Sequence, residues 1–405
     1  MLDGVTPPRW TPTSVFFGLF AAMLVARGWV DERAYLALCG PALLVGPARR
    51  WVALLALAHY LNPTNGQLSR SPLVSANHEY LEALLLVVVA IEPARDAVGQ
   101  LRLAHALRGI AIALVFIPGV QKLAHGAYAR GDFFTLGYAE RSKFARALDT
   151  LTTEAEREEA EAFRAALVAF REETREGLFE RVPPRPWIVT VTSRVLCWAT
   201  LAAELVLPWL LLARRARTRR WGAAALIGFF LGVEMIALEW MFGGWVSCLL
   251  VPLLLERDGP VAPAPPGTAT WLLRAVLVVL WTWPCAHLYL AFAHDLSPWK
   301  LGGLGMYAIP AREGIEWVEV RAPGDPTWRA RPPRNLIERR RYEYAGYVLR
   351  NVPFASGVAD GLVAPIRAAE PPNAPPLAVR IGVTTVRWDR TCDRYRVTQR
   401  IWTHE

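Results

Sequence analysis

Lys122 closes an apolar run in the segment FIPGVQKLAHG, residues 116 to 126. Ionisable groups inside apolar runs are costly, and they usually face a bundle interior and mark proton, ion or ligand sites. The set here is His59, His78, Glu79, Glu82, His105, Arg108, Lys122, Arg194, Glu204, Glu234, Glu239 and His287. A lysine walled by apolar groups can give up its proton and serve as a general base. A histidine beside it can share or orient that proton. The competing reading is a lysine that snorkels to a membrane surface, with Asn77 as a helix cap. Glu204 reads either as a proton carrier or as a structural partner. Glu234 and Glu239, five apart, read as a helix-to-helix hydrogen bond or as proton sites. His287 and His294 approach the end of the last apolar run and can wall the same site as Lys122. His59 and His105 lack ligand-like spacing, the five cysteines include no CxxC pair, and no metal is expected. No GxSxG, HExxH or P-loop pattern occurs, so the common soluble chemistries are unsupported.

The elements that must hold these groups are apolar helices. The 405-residue chain is 53% hydrophobic, and long apolar runs alternate with short basic clusters. That pattern predicts a mainly α, polytopic transmembrane bundle of about eight to nine membrane segments. Nine runs are read, at 13–30, 34–47, 50–61, 78–92, 101–123, 187–213, 221–240, 244–256 and 269–293; the second, third and eighth are short for a full span. With the N-terminus inside, inner loops hold Arg9, Arg49, Arg50, Arg95, Arg102, Arg214, Arg215, Arg217, Arg219, Arg220 and Arg257, whereas outer short loops and span ends hold Arg27, Arg33 and Arg70. This bias sets a cytoplasmic N-terminus and an extracytoplasmic C-terminal region. It also accounts for the net charge of +9 without a nucleic-acid partner. Seventeen tryptophans suit aromatic belts at the interfaces. The opening MLDGVTPPRW lacks a basic start and a cleavage site, so the first span is expected to be its own insertion signal.

Two stretches are polar. Residues 126–186 form an insertion within a transmembrane domain of residues 1–294. In it, Phe163, Ala166, Leu167 and Phe170 recur at helical spacing and predict an amphipathic helix on the outer surface or covering the bundle. Residues 295–405 carry "IEWVEVRA", "RYEYAGYVLRNV" and "VRIGVTTVRWDR", separated by proline-rich pieces, and predict a small extracytoplasmic β-rich domain.

Topology relates the candidate residues. The fifth run leads outward from Arg102 and puts Lys122 about 21 Å beyond Arg108, near the outer boundary. The fourth run leads inward and starts at Asn77 and His78. Consecutive runs joined by a short loop are expected neighbours, so Lys122, Asn77 and His78 are expected at one outer mouth. Pro118 and Gly119 are expected to bend the helix and turn Lys122 inward.

These segments resemble a known family. "PGVQKL" is similar to the "AGVKKL" segment of the vitamin K-dependent γ-glutamyl carboxylases, and "NHEYLEALL" to their "NHSYLYGLL", in the same order and about 40 residues apart. "SPWKLGGLGMYAIPAREGIEWVEVR" looks like that family's passage from its last span into a lumenal β domain. Bacterial relatives share the membrane part, the horizontally transferred transmembrane domain. The resemblance implies that Lys122 deprotonates a reduced vitamin K, a menaquinol-like quinol. It implies that His78 serves the carbanion and carboxylation chemistry, and that Asn77, Gln121 and Met306 line the quinone and substrate site. Oxygen and carbon dioxide would be co-substrates, and the partners would be the lipid bilayer, the quinol and a peptide or protein on the outer face. Gln121 stands where the family has a lysine, and of the family's methionines after the last span only Met306 is kept. The chain is also much shorter than the animal enzyme, so quinol oxidation or epoxidation can persist without glutamate carboxylation. DoxX-like membrane proteins also carry glycine-then-KL segments, and a non-catalytic membrane partner or assembly protein is the alternative. A transporter using Glu204, Glu234 and Glu239 is a third reading, against which stands the lack of an inverted repeat.

Overall fold

The computed structural model describes residues 10–30, 34–61, 77–140, 145–173, 176–237, 240–256, 266–294, 313–352, 356–368, 377–389, 392 and 394–404. In chain order the helices are α1 (Pro12–Val30), α2 (Ala34–Ala42), α3 (Arg49–Leu61), α4 (Asn77–Ile91), α5 (Ala97–His125), α6 (Asp132–Glu140), α7 (Ala145–Asp149) and α8 (Glu154–Glu173). Strand β1 (Gly177–Phe179) precedes α9 (Trp187–Leu210), α10 (Ala216–Ala237), α11 (Trp240–Leu254) and α12 (Thr268–Ala293). Then come β2 (Glu313–Arg321), β3 (Arg329–Ala330), α13 (Leu336–Asn351), α14 (Ser356–Ala368), β4 (Ala378–Asp389) and β5 (Arg394–His404). The chain is mostly helical, with a small C-terminal sheet.

Among the described residues, α1, α5, α9 and α12 are long and apolar enough to cross a membrane. They differ in what they touch. In α5, 72% of the most apolar stretch is buried against protein, but in α12 only 17% and in α9 only 28%. So α5 is a central helix, whereas α9 and α12 turn Val195, Trp198, Val206, Trp271, Val278 and Val279 outward. Contiguous apolar surface of that kind suits lipid rather than water. Helices α2, α3, α4 and α11 are apolar but run only 9, 13, 15 and 15 residues, short of the roughly 20 needed for a perpendicular span.

The described residues form two compact units. The first gathers those up to 130 with 195–286, and the second gathers 131–194, 287–294 and 313–404. In the first unit, Phe16, Phe17, Phe20 and Leu24 of α1 join Leu85 and Val89 of α4, Ile110 and Leu114 of α5, and Trp245 and Leu249 of α11 in one core. The arginines assigned to inner loops have local work here. Arg50 donates to the carbonyls of Ala90 and Ile91 at the end of α4, at 3.0 and 3.1 Å. Arg219 donates to those of Ala213 and Arg214 beyond α9, both at 2.8 Å. Arg49 donates to Leu43 and Pro93 and lies 3.8 Å from the Phe17 ring centroid. Helix ends leave unmet carbonyls that favour a cation. These arginines therefore close helix ends. Arg27, counted with the outer loops and span ends, lies in the last turn of α1. It is buried and pairs with Glu79 at 2.8 Å and Glu82 at 3.6 Å.

In the second unit an antiparallel sheet has the order β1-β5-β4-β2-β3. Val318 of β2 and Val379, Ile381 and Val383 of β4 pack under Tyr342, Ala345 and Leu349 of α13 and Leu362, Val363 and Ile366 of α14. The segment RYEYAGYVLRNV, expected as a strand from its tyrosines, is thus helix α13. Tyr342, Ala345, Val348, Leu349 and Val352 are buried at three- and four-residue spacing, and one buried helical stripe outweighs β propensity. The C-terminal unit is correspondingly an α/β layer rather than β-rich alone. Helix α8 is amphipathic as its pattern predicts, and it covers this sheet. Phe163 lies 5.5 Å from Phe179 and 5.9 Å from Tyr395 between ring centroids, within a cluster that includes Leu167, Val386 and Val397. Because β1 pairs with β5 and α8 covers the same sheet, residues 131–194 group with the C-terminal residues.

Gly382 fixes one register in this sheet. It pairs with Trp317, and a Cβ there would overlap the indole ring. Gly382→Leu is expected to destabilise the sheet by about 1–3 kcal/mol through overpacking. Faster amide hydrogen exchange across residues 378–389 is the readout; unchanged protection would contradict the close ring contact.

Candidate functional site

Helix α5 begins at a cap, where Asp96 accepts from the Gly99 N–H at 2.6 Å, and ends at Gly126, whose φ of 70° permits a left-handed closing turn. The Gly126 N–H donates to the carbonyls of Lys122 and Leu123, so Lys122 sits in the last helical turn. The expected bend before it is not a break, because the helix runs through Pro118 and Gly119 to His125. Gly119 acts differently: its absent side chain lets α9 approach. A Cβ at Gly119 would lie 3.0 Å from the Glu204 Cβ and 3.1 Å from Leu205 Cδ2. On α9, Pro208 has no N–H to return to the Glu204 carbonyl.

That close crossing brings two buried opposite charges together. Lys122 Nζ donates to Glu204 Oε1. Lys122 is 1% exposed and Glu204 4%, which overturns the snorkelling reading. The ammonium lies 5.0 Å from the Tyr128 ring centroid, a cation–π distance. Gln121, His125 and Tyr128 are also buried. Glu204 Oε2 is buried with no hydrogen-bond partner among the described residues. One turn and a half earlier on α5, Phe116 meets Trp209 of α9 edge-on at 5.0 Å and Trp281 of α12 at 6.1 Å.

The residues expected beside Lys122 are described only in part. Asn77 and His78 open α4, and their side chains lie outside the described residues, as does Met306. The described part of NHEYLEALL serves another cluster, since Glu79 and Glu82 pair with Arg27 and Tyr60 interacts with Glu82. His287 is buried on α12. Glu234 accepts from the Gly243 N–H at 2.5 Å in the first turn of α11, a helix-end hydrogen bond. Glu239 lies outside the described residues.

A third buried cluster was not read from the sequence. Glu256 bridges two arginines, accepting from Arg108 through Oε1 and from Arg219 through Oε2, the latter at 2.5 Å. The signal was present, because lone opposite charges inside apolar runs need partners. With Glu82, Glu204, Glu234 and Glu239 all available, however, pattern could not choose among them. No family model matches this chain, and neither does any curated protein or solved structure.

Proposed function

We propose that this chain is an integral-membrane, quinol-dependent enzyme of the vitamin K-dependent γ-carboxylase type, in which the Lys122–Glu204 pair handles the quinol's proton. The observation that carries this reading is Lys122 itself, a fully buried ammonium against a fully buried carboxylate on two apolar helices. The site's chemistry fits the ligand class. A cation and an open carboxylate oxygen suit a hydroxyl head, and the Phe116, Trp209 and Trp281 rings suit an apolar bicycle arriving from lipid. A dry setting also protects a strong base from water. In this reading α1, α5, α9 and α12 span, the shorter apolar helices complete a bundle of eight to nine segments, and the N-terminus is cytoplasmic. The C-terminal unit is extracytoplasmic and is where a peptide substrate would be presented. Oxygen is the oxidant, and carbon dioxide a further substrate if glutamate is carboxylated.

The test is to purify the full chain in detergent, add reduced naphthoquinone and follow oxygen uptake. Quinol-dependent uptake well above the protein-free rate is expected. A rate equal to that blank, with folded protein, contradicts the proposal. One observation favours the non-catalytic, DoxX-like alternative: the Lys122 charge is already matched by Glu204, as a static tie between α5 and α9 would require. That reading predicts neither quinol binding nor oxygen uptake.

A further inference from the structure

Resting on the reading above, the geometry points to Glu204, rather than Lys122, as the group that receives the ligand's proton. Lys122 Nζ is engaged as a donor to Glu204 Oε1 and sits over the Tyr128 ring. An ammonium has three donors and no acceptor, so Lys122 as placed here donates, and accepts nothing. Glu204 has the opposite inventory. One carboxylate oxygen is held by the ammonium, and the other, Oε2, is buried with no partner among the described residues. A buried acceptor left unmet is expensive, and such an atom calls for a donor. A hydroxyl is that donor.

The proton step balances without another reactant. The ligand O–H bond breaks, a new O–H bond forms on Glu204 Oε2, and the electron pair stays on the ligand oxygen. The Lys122 ammonium compensates the charge left there, and nothing is oxidised or reduced in this step. Gly119 makes the arrangement possible, since any larger residue would hold Glu204 further from α5.

The test uses the full chain in detergent with 1,4-naphthoquinol and two readouts. The first is the infrared difference spectrum on adding quinol without oxygen. A new carboxylic-acid carbonyl band is expected, absent in Glu204→Gln. The second is oxygen-dependent turnover. Glu204→Gln is expected to lose about 100-fold or more, the scale of a general base. Lys122→Arg keeps a cation that cannot act as a base, and it is expected to retain more than about a tenth of the activity. A wild-type chain that binds and oxidises quinol without the band overturns the inference and leaves the quinol reading intact. So does Lys122→Arg that binds quinol but is as inactive as Glu204→Gln. A wild-type chain that neither binds nor oxidises quinol removes both. The band is read in the wild type, so the test stands even where a variant fails to fold.

Discussion

Lys122→Met alone is expected to destabilise the protein by about 3–5 kcal/mol, and adding Glu204→Leu is expected to return most of that loss. Removing one partner of a buried ion pair leaves an uncompensated buried charge, whereas replacing both by apolar residues of similar volume is often neutral or stabilising. The setting satisfies that logic, with Lys122 1% and Glu204 4% exposed and their helices crossing closely at Gly119. The two substitutions should therefore be strongly non-additive. Thermal unfolding midpoints in one detergent, read for both single variants and the double, give the coupling directly. Additive single effects would mean that the two side chains do not meet.

Glu256→Leu is expected to cost more than either single change at Lys122 or Glu204. Its carboxylate bridges Arg108 and Arg219, which are 7% and 3% exposed. Losing it leaves two guanidinium groups facing each other in a poorly solvated place, so repulsion adds to lost pairing. Arg219 would keep its bonds to the carbonyls of Ala213 and Arg214, but Arg108 would keep no ion-pair partner among the described residues. A sharp fall in folded, detergent-extractable protein is expected, partly reversed by adding Arg108→Met. Normal yield and melting of Glu256→Leu would show that the bridge contributes little.

Apolar run length made α1, α5, α9 and α12 legible in the sequence, because those helices need only length and hydrophobicity to be seen. The helical spacing of Phe163 and Leu167 likewise revealed α8, although not its partner, since an apolar stripe says nothing about which surface covers it. Helix α13 was hidden by its tyrosines, which favour strands locally, while the buried spacing from Tyr342 to Val352 belongs to a helix. The site was half legible. Lys122 stood out as a lone cation in an apolar run, and Glu204 as a lone acid in another. Their pairing depends on how α5 crosses α9, which Gly119 permits and which no local pattern encodes. His78 was placed beside Lys122 by counting both at one boundary. The His78 side chain lies outside the described residues.

The central claim is that the buried Lys122–Glu204 pair carries quinol chemistry rather than only joining two helices. The most direct measurement compares quinol-dependent oxygen uptake by the wild type and by the Lys122→Met/Glu204→Leu double variant, which is expected to keep the fold and so to isolate the chemistry. The account predicts uptake in the wild type and a rate indistinguishable from the protein-free blank in the double variant, with equal melting behaviour. A folded double variant that oxidises quinol as fast as the wild type would contradict it.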